Sequence, residues 1–256
     1  MKDALQPDLS TYKEEQPANL LSIVNNALRT GKIEKAEEYC LRLRKLFPDF
    51  EAHPEYDIVR HHCSLGDYDA LLRFLTRYTS HSGNEGHLLY LAAADSCLEL
   101  MEYEHALHFY QEFLKEDSST PIEQIYLNMA YCLSSLSRID DAILCLENAR
   151  KILPGRTTML YYLSMLYKAK GDVRKAHYFV MRAIKSDPCN DDVRLELAKL
   201  EYSLNYVEEA PLHIDMLTSG QSHTLEAPIM LDIPESSKSW LMNYRLMEKE
   251  QRWKTQ

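Results

Sequence analysis

Glycine is scarce in this chain. Only 7 of 256 residues are Gly, too few for a fold built on Gly-rich phosphate loops and tight β-turns, and the shortage favours helices. Positive charge is also in deficit: 29 Lys and Arg stand against 39 Asp and Glu, a formal net charge of −10. Phosphate backbones are bound by clustered Lys and Arg, but the small basic group Arg42, Arg44 and Lys45 shares its segment with Glu37 and Glu38. Nucleic acid is therefore not expected as a partner. No apolar run suits a signal peptide or a membrane span, so the reading is a cytoplasmic chain without a membrane partner. Six cysteines, Cys40, Cys63, Cys97, Cys132, Cys145 and Cys189, include no CxxC pair. Most fall at apolar helix positions, where a reduced Cys acts as a small hydrophobe, and a reducing compartment is the simplest setting.

What the chain does have is a period. Leu160, Leu163 and Tyr167 stand at i, i+3 and i+7, one face of a helix. Gly171-Asp172 interrupts, Ala176, Val180, Ala183 and Ile184 mark a second helix, and Asp187-Pro188 ends it. One period earlier, Tyr126, Met129 and Leu133 repeat the first stripe, and Ala142, Leu146 and Ala149 the second. Ala142 to Ala176, Ala149 to Ala183 and Pro154 to Pro188 are each separated by 34 residues. The other units fit with small insertions. Leu20, Ile23 and Ala27 precede Gly31, Ala36 and Pro48; Gly66-Asp67-Tyr68 precedes Leu71 and Leu75; Tyr90, Ala93 and Cys97 precede Ala106 and Tyr110. The sixth unit carries Arg194, Leu197, Ala198 and Ala210, with Pro211 early in its second helix.

These units resemble the tetratricopeptide repeat, a helix–turn–helix of about 34 residues with the pattern W-x₂-L-G-x₂-Y…A-x₃-F…P. The resemblance covers roughly 17–217, as repeats 17–51, 52–86, 87–122, 123–156, 157–190 and 191–217. The Trp position holds Leu20, Glu55, Tyr90, Tyr126, Leu160 and Arg194, so the first two units and the sixth depart furthest. The resemblance implies an all-α, right-handed solenoid of helical hairpins. One hairpin cannot bury its apolar face alone, and small residues such as Ala106, Ala142 and Ala176 let neighbours stack closely.

In that family the first helices line a groove that holds a partner protein, as a peptide or a helix. Mapped onto this sequence, the groove positions are Asn25 and Arg29, Tyr56 and Arg60, Leu91 and Asp95, Asn128 and Tyr131, Tyr161, Met165 and Lys168, and Lys199 and Tyr202. Tyr brings a large apolar face and a hydroxyl at low entropic cost. Tyr90, Tyr126 and Tyr167 read instead as packing residues. The subtype that clamps the C-terminal carboxylate of heat-shock chaperones needs a Lys where Leu21 stands and an Asn where Asp57 stands, so the clamp is not expected.

Other constellations point to less. Neighbouring helical residues lie about 100° apart, so His61, His62 and Cys63 do not converge on one ion. His105 and His108 share a face without an obvious third ligand. Glu34 to Glu38 reads as a solvated face. No nucleophile elbow or phosphate loop is present, and no cofactor, metal or catalytic residue is expected. At the ends, 1–16 is a polar leader and 218–256 a linker followed by a helix with Trp240, Leu241, Tyr244 and Met247 on one side. That helix either caps the array, with Trp240 against the sixth repeat, or docks a partner. An uncapped terminal repeat would permit self-association. The leading reading is a non-enzymatic interaction scaffold or adaptor. The alternatives are a bacterial secretion-type chaperone, whose relatives have about three repeats, and a regulatory subunit or enzyme with an unrecognised site.

Overall fold

The computed structural model describes residues 16–82, 86–116 and 122–206, with 210, 212 and 213. Residues 1–15 of the leader, and the linker and final helix with Trp240, lie outside the described residues. Within them run eleven helices: α1 Pro17–Arg29, α2 Ile33–Leu46, α3 Pro54–Leu65, α4 Tyr68–Ser82, α5 Leu88–Glu99, α6 Tyr103–Glu116, α7 Glu123–Ser135, α8 Ile139–Ile152, α9 Thr157–Ala169, α10 Val173–Ser186 and α11 Asp191–Ser203.

Local chemistry sets the ends of these helices. Pro17 and Pro54 occupy first-turn positions, where the missing N–H would have no helical partner anyway. α8 carries Asp140 and Asp141 in its first turn and Arg150 and Lys151 in its last, matching the helix dipole at both ends. Asn190 caps α11 by accepting a 3.1 Å hydrogen bond from the Val193 N–H.

One turn geometry recurs six times. Gly31, Gly66, Met101, Ser137, Gly171 and Asn205 all have φ between 60° and 87° and follow the first helix of each hairpin. The next N–H then reaches five residues back in every case: Lys32 to Ala27, Asp67 to His62, Glu102 to Cys97, Arg138 to Leu133, Asp172 to Tyr167 and Tyr206 to Glu201. That bond closes the last helical turn and turns the chain into the second helix. Three of the six positions are not Gly, so the glycines alone reveal only half of the hairpin turns.

The chain divides into two compact units, Met1–Pro154 with Met165–Asp172, and Gly155–Ser164 with Val173–Gln256. In the first, four hairpins follow in order: α1/α2, α3/α4, α5/α6 and α7/α8. First helices stack on first helices (α1 on α3, α3 on α5), α2 packs on α4, and α6 on α7. Leu20, Ala36, Ile58, Leu71, Ala93, Ala106, Ala142 and Leu146 are fully buried. In the second unit α10 packs against α11, with Ala176, Val180, Ala183, Val193 and Leu197 at full burial.

One expectation is corrected here. Glu37, in the stretch read as a solvated face, is only 7% exposed. Its carboxylate is held by His62 Nε2 at 2.8 Å and by Arg77 at 3.5 Å. These partners arrive from α3 and α4, which spacing within α2 cannot reveal.

Candidate functional site

On a first helix the buried positions face the neighbouring hairpins, and the residues between them are available to solvent. In the first unit Asn25, Arg29 and Arg60 are exposed, and Tyr56, Leu91, Asp95 and Tyr131 are half-buried. Met165 is half-buried and Lys168 exposed. Tyr90 and Tyr167 are buried, while Tyr126 is half-buried.

Several of these side chains are held in place. The Tyr56 ring meets His53 edge-on at 5.9 Å, and Tyr131 meets Tyr103 edge-on at the same separation. Burial, followed by the neighbouring Tyr103 hydroxyl, pushes the Tyr131 phenol up, so it stays protonated as a donor at neutral pH. Arg60 pairs with Asp57 one helical turn back, at 2.7 Å.

Asn128 stands apart from the other mapped positions. It is 4% exposed, although the repeat register places it on the open face. Its amide donates to the Tyr110 hydroxyl at 2.9 Å and accepts from Gln124 at 2.8 Å. Tyr110 in turn donates to Asp95 at 2.6 Å. Burial raises the Asp95 pKa, and the Tyr110 hydrogen bond opposes that rise. The chain Gln124–Asn128–Tyr110–Asp95 therefore ties α5, α6 and α7 together beneath the face.

In the second unit Tyr161 is half-buried and meets Tyr162 edge-on at 6.0 Å. Burial and then Glu196 and Asp192 raise its pKa. Lys199 lies 3.9 Å from the buried Glu196, and Tyr202 is 45% exposed.

Spacing within a helix does not reveal the polar cluster at the junction of the first two hairpins. Glu55, at the position where the repeat pattern has Trp, is 2% exposed. Arg44 donates to it at 2.9 Å, His53 Nδ1 lies 3.0 Å away, and the Cys40 thiol faces it at 3.9 Å. Arg44 also donates to the Phe50 carbonyl at 2.7 Å and the Ala52 carbonyl at 2.5 Å, which fixes the connection between the hairpins. Burial and then Glu55 push the Cys40 thiol and the Tyr78 phenol up, so both stay protonated. The available signal is the charge itself: a Glu at a core position requires a counter-charge.

Among the described residues no three His, Cys, Asp or Glu side chains converge to hold a metal ion, and no helix is long and apolar enough to cross a membrane. His62 serves the Glu37 pair, and His105 stacks on Tyr68 with ring centroids 3.7 Å apart.

No protein-family model matches the chain. A TPR repeat-containing protein of Methanocaldococcus jannaschii is 24% identical over 110 residues, 41% of this chain and 19% of that protein. The chain thus aligns with about a fifth of that relative's length. Among solved structures, a double mutant of MamA RS-1 superposes with a TM-score of 0.50 at 17% identity, covering 63% of this chain and 89% of that one. YrrB, described as a TPR protein with an unusual peptide-binding site, gives a TM-score of 0.47 at 15% identity over 65% of this chain and 84% of its own. The MamA likeness speaks to the fold alone.

Proposed function

We propose that this tetratricopeptide-repeat protein is a non-catalytic scaffold that holds a segment of another protein on the open face of its first helices. The observation that supports this most is the alternation on α1, α3, α5 and α7. Packing positions are buried, while Arg29, Tyr56, Arg60, Leu91, Asp95 and Tyr131 stay at least partly open between them. A face that mixes half-buried Tyr with both signs of charge suits a peptide or helix, because aromatic and Arg side chains supply most of the binding energy at protein interfaces.

The aromatic pairs favour this reading. Tyr56 and Tyr131 are each braced by a neighbouring ring, so less side-chain freedom is lost when a partner arrives. Asp95 is held by Tyr110 from beneath, which leaves a desolvated carboxylate fixed on the face. In the second unit Tyr161, Lys199 and Tyr202 are the corresponding candidates.

Replacing Tyr131 or Tyr161 by Ala should weaken binding of a captured partner by more than about 1 kcal/mol each. Titration calorimetry measures the effect, and circular dichroism checks that the fold is kept. Unchanged affinity with an unchanged spectrum for both variants would overturn the assignment.

A further inference from the structure

Cys63 on α3 and Cys97 on α5 hold the same position in successive hairpins, 34 residues apart. Because α3 packs directly on α5, the repeat brings two thiols face to face, with Sγ atoms 3.9 Å apart. That is van der Waals contact between sulfurs. A disulfide needs about 2.05 Å, a gap that rotation about the two Cα–Cβ bonds and a small shift of the helices can close. Cys40 and Cys132 are as deeply buried, but Cys40 faces Glu55.

We propose that Cys63 and Cys97 form a reversible intramolecular disulfide that clasps the second hairpin to the third when the protein meets a peroxide-class oxidant. The chemistry balances. The Cys63 thiolate attacks one peroxide oxygen, giving a sulfenic acid and one water. Cys97 then attacks the Cys63 sulfur, the S–S bond forms, and the sulfenic oxygen leaves as a second water. Two thiol hydrogens and two electrons pass to the peroxide.

The contact the two thiols share lowers the Cys63 pKa against its burial and raises that of Cys97, to which burial and Glu102 add. The product is the same if Cys97 attacks first and Cys63 resolves. Both are buried, so the rate follows local opening of the α3–α5 contact, and the disulfide is shielded once formed. A dithiol reductant reverses the step through the same opening.

The test uses the full chain carrying Cys189→Ser, which removes the exposed thiol that would otherwise link molecules. After peroxide treatment at a temperature that permits local opening, two thiols should be lost from a monomer about 2 Da lighter. Unreduced peptide mapping should join Cys63 to Cys97, and dithiothreitol should restore both thiols. The clasped form should melt on the order of 5 °C higher. Cys97→Ser and Cys97→Ala, each checked for native circular dichroism, should abolish the mass loss. Thiols consumed without a Cys63–Cys97 link, a linked pair elsewhere, or a full thiol count after treatment would each overturn the proposal.

Discussion

The second and fourth hairpins are two copies of one repeat built from opposite materials. In the fourth, α7/α8, the packing positions are apolar: Ile125, Met129, Leu133, Ala142, Leu146 and Ala149 are all buried. Its turn, however, places Ser137 at φ 62°, a conformation that strains a residue with a Cβ. The second hairpin has the favourable turn residue, Gly66 at φ 70°, and an unfavourable core residue, Glu55. The repeat therefore constrains volume, distance and backbone angle more tightly than it constrains chemistry. A carboxylate can occupy an aromatic position if the previous hairpin supplies an Arg that also binds the connecting loop. A Ser can occupy the left-handed turn if packing on both sides holds it there.

The comparison breaks most sharply at Arg44. Arg44→Ala leaves the Glu55 carboxylate buried without its main counter-charge, and the chain should lose about 3–5 kcal/mol of stability in urea titration. Replacing both Arg44 and Glu55 by Leu should recover part of that loss, because an apolar pair avoids the desolvation cost, while the Phe50 and Ala52 carbonyls still lack the Arg44 donor. If the double variant is as unstable as the single, the loss comes from the Arg44 bonds to the Phe50 and Ala52 carbonyls and from its packing, and the buried charge is not the cause.

Ala142 tests the apolar hairpin. It is fully buried, and Ala142→Leu should destabilise by about 1–3 kcal/mol through overpacking. No loss on thermal melting would mean that the fourth hairpin has spare room. Ser137→Gly should act in the other direction and stabilise by about 1 kcal/mol, since Gly relieves the left-handed strain. Gly66→Ala should cost a similar amount in the second hairpin. Equal and opposite shifts in urea midpoint would establish that the two turns are the same device with different residues.

The pattern of small residues, proline stops and apolar stripes was enough to predict the repeat, because these features face the same neighbours in every unit. Met101 and Ser137 were not legible as turns, since nothing in those side chains announces a positive φ, whereas Asn205 is of the non-Gly type that most readily adopts one. The candidate face was legible as a register but not as a surface. Asn128 lies on the predicted side of α7, yet the Tyr110 hydroxyl from α6 and Gln124 draw its amide into the interior. Glu37 and Glu55 read as solvent-facing or anomalous from their own helices because their partners lie 25 and 11 residues away in sequence.

A smaller effect belongs to the second unit. Burial lowers the pKa of His177 and His213 from the ordinary 6.5, and for His213 Arg194 and His177 add to the shift. The buried Glu201 carboxylate lies 3.7 and 3.5 Å from the two rings, and Tyr206 meets His177 edge-on. A base with a depressed folded pKa gives stability that is present above its unfolded value and lost as pH falls through the folded one. The melting temperature should therefore drop as pH falls below the ordinary histidine value of 6.5, and drop less in His177→Gln/His213→Gln. An equal drop in the variant would assign the acid sensitivity elsewhere.

In the proposed function the partner meets the first-helix face and not the second helices of the hairpins. Affinity purification with quantitative mass spectrometry tests it directly. The wild-type chain is compared with Arg60→Ala/Tyr131→Ala on that face, and with Leu144→Ser on the second helix of the fourth hairpin, where Leu144 is 59% exposed. The predicted result is one protein retained near stoichiometry by wild type and Leu144→Ser, and reduced roughly tenfold or more by the double variant. Equal retention by the double variant, or loss confined to Leu144→Ser, would contradict it.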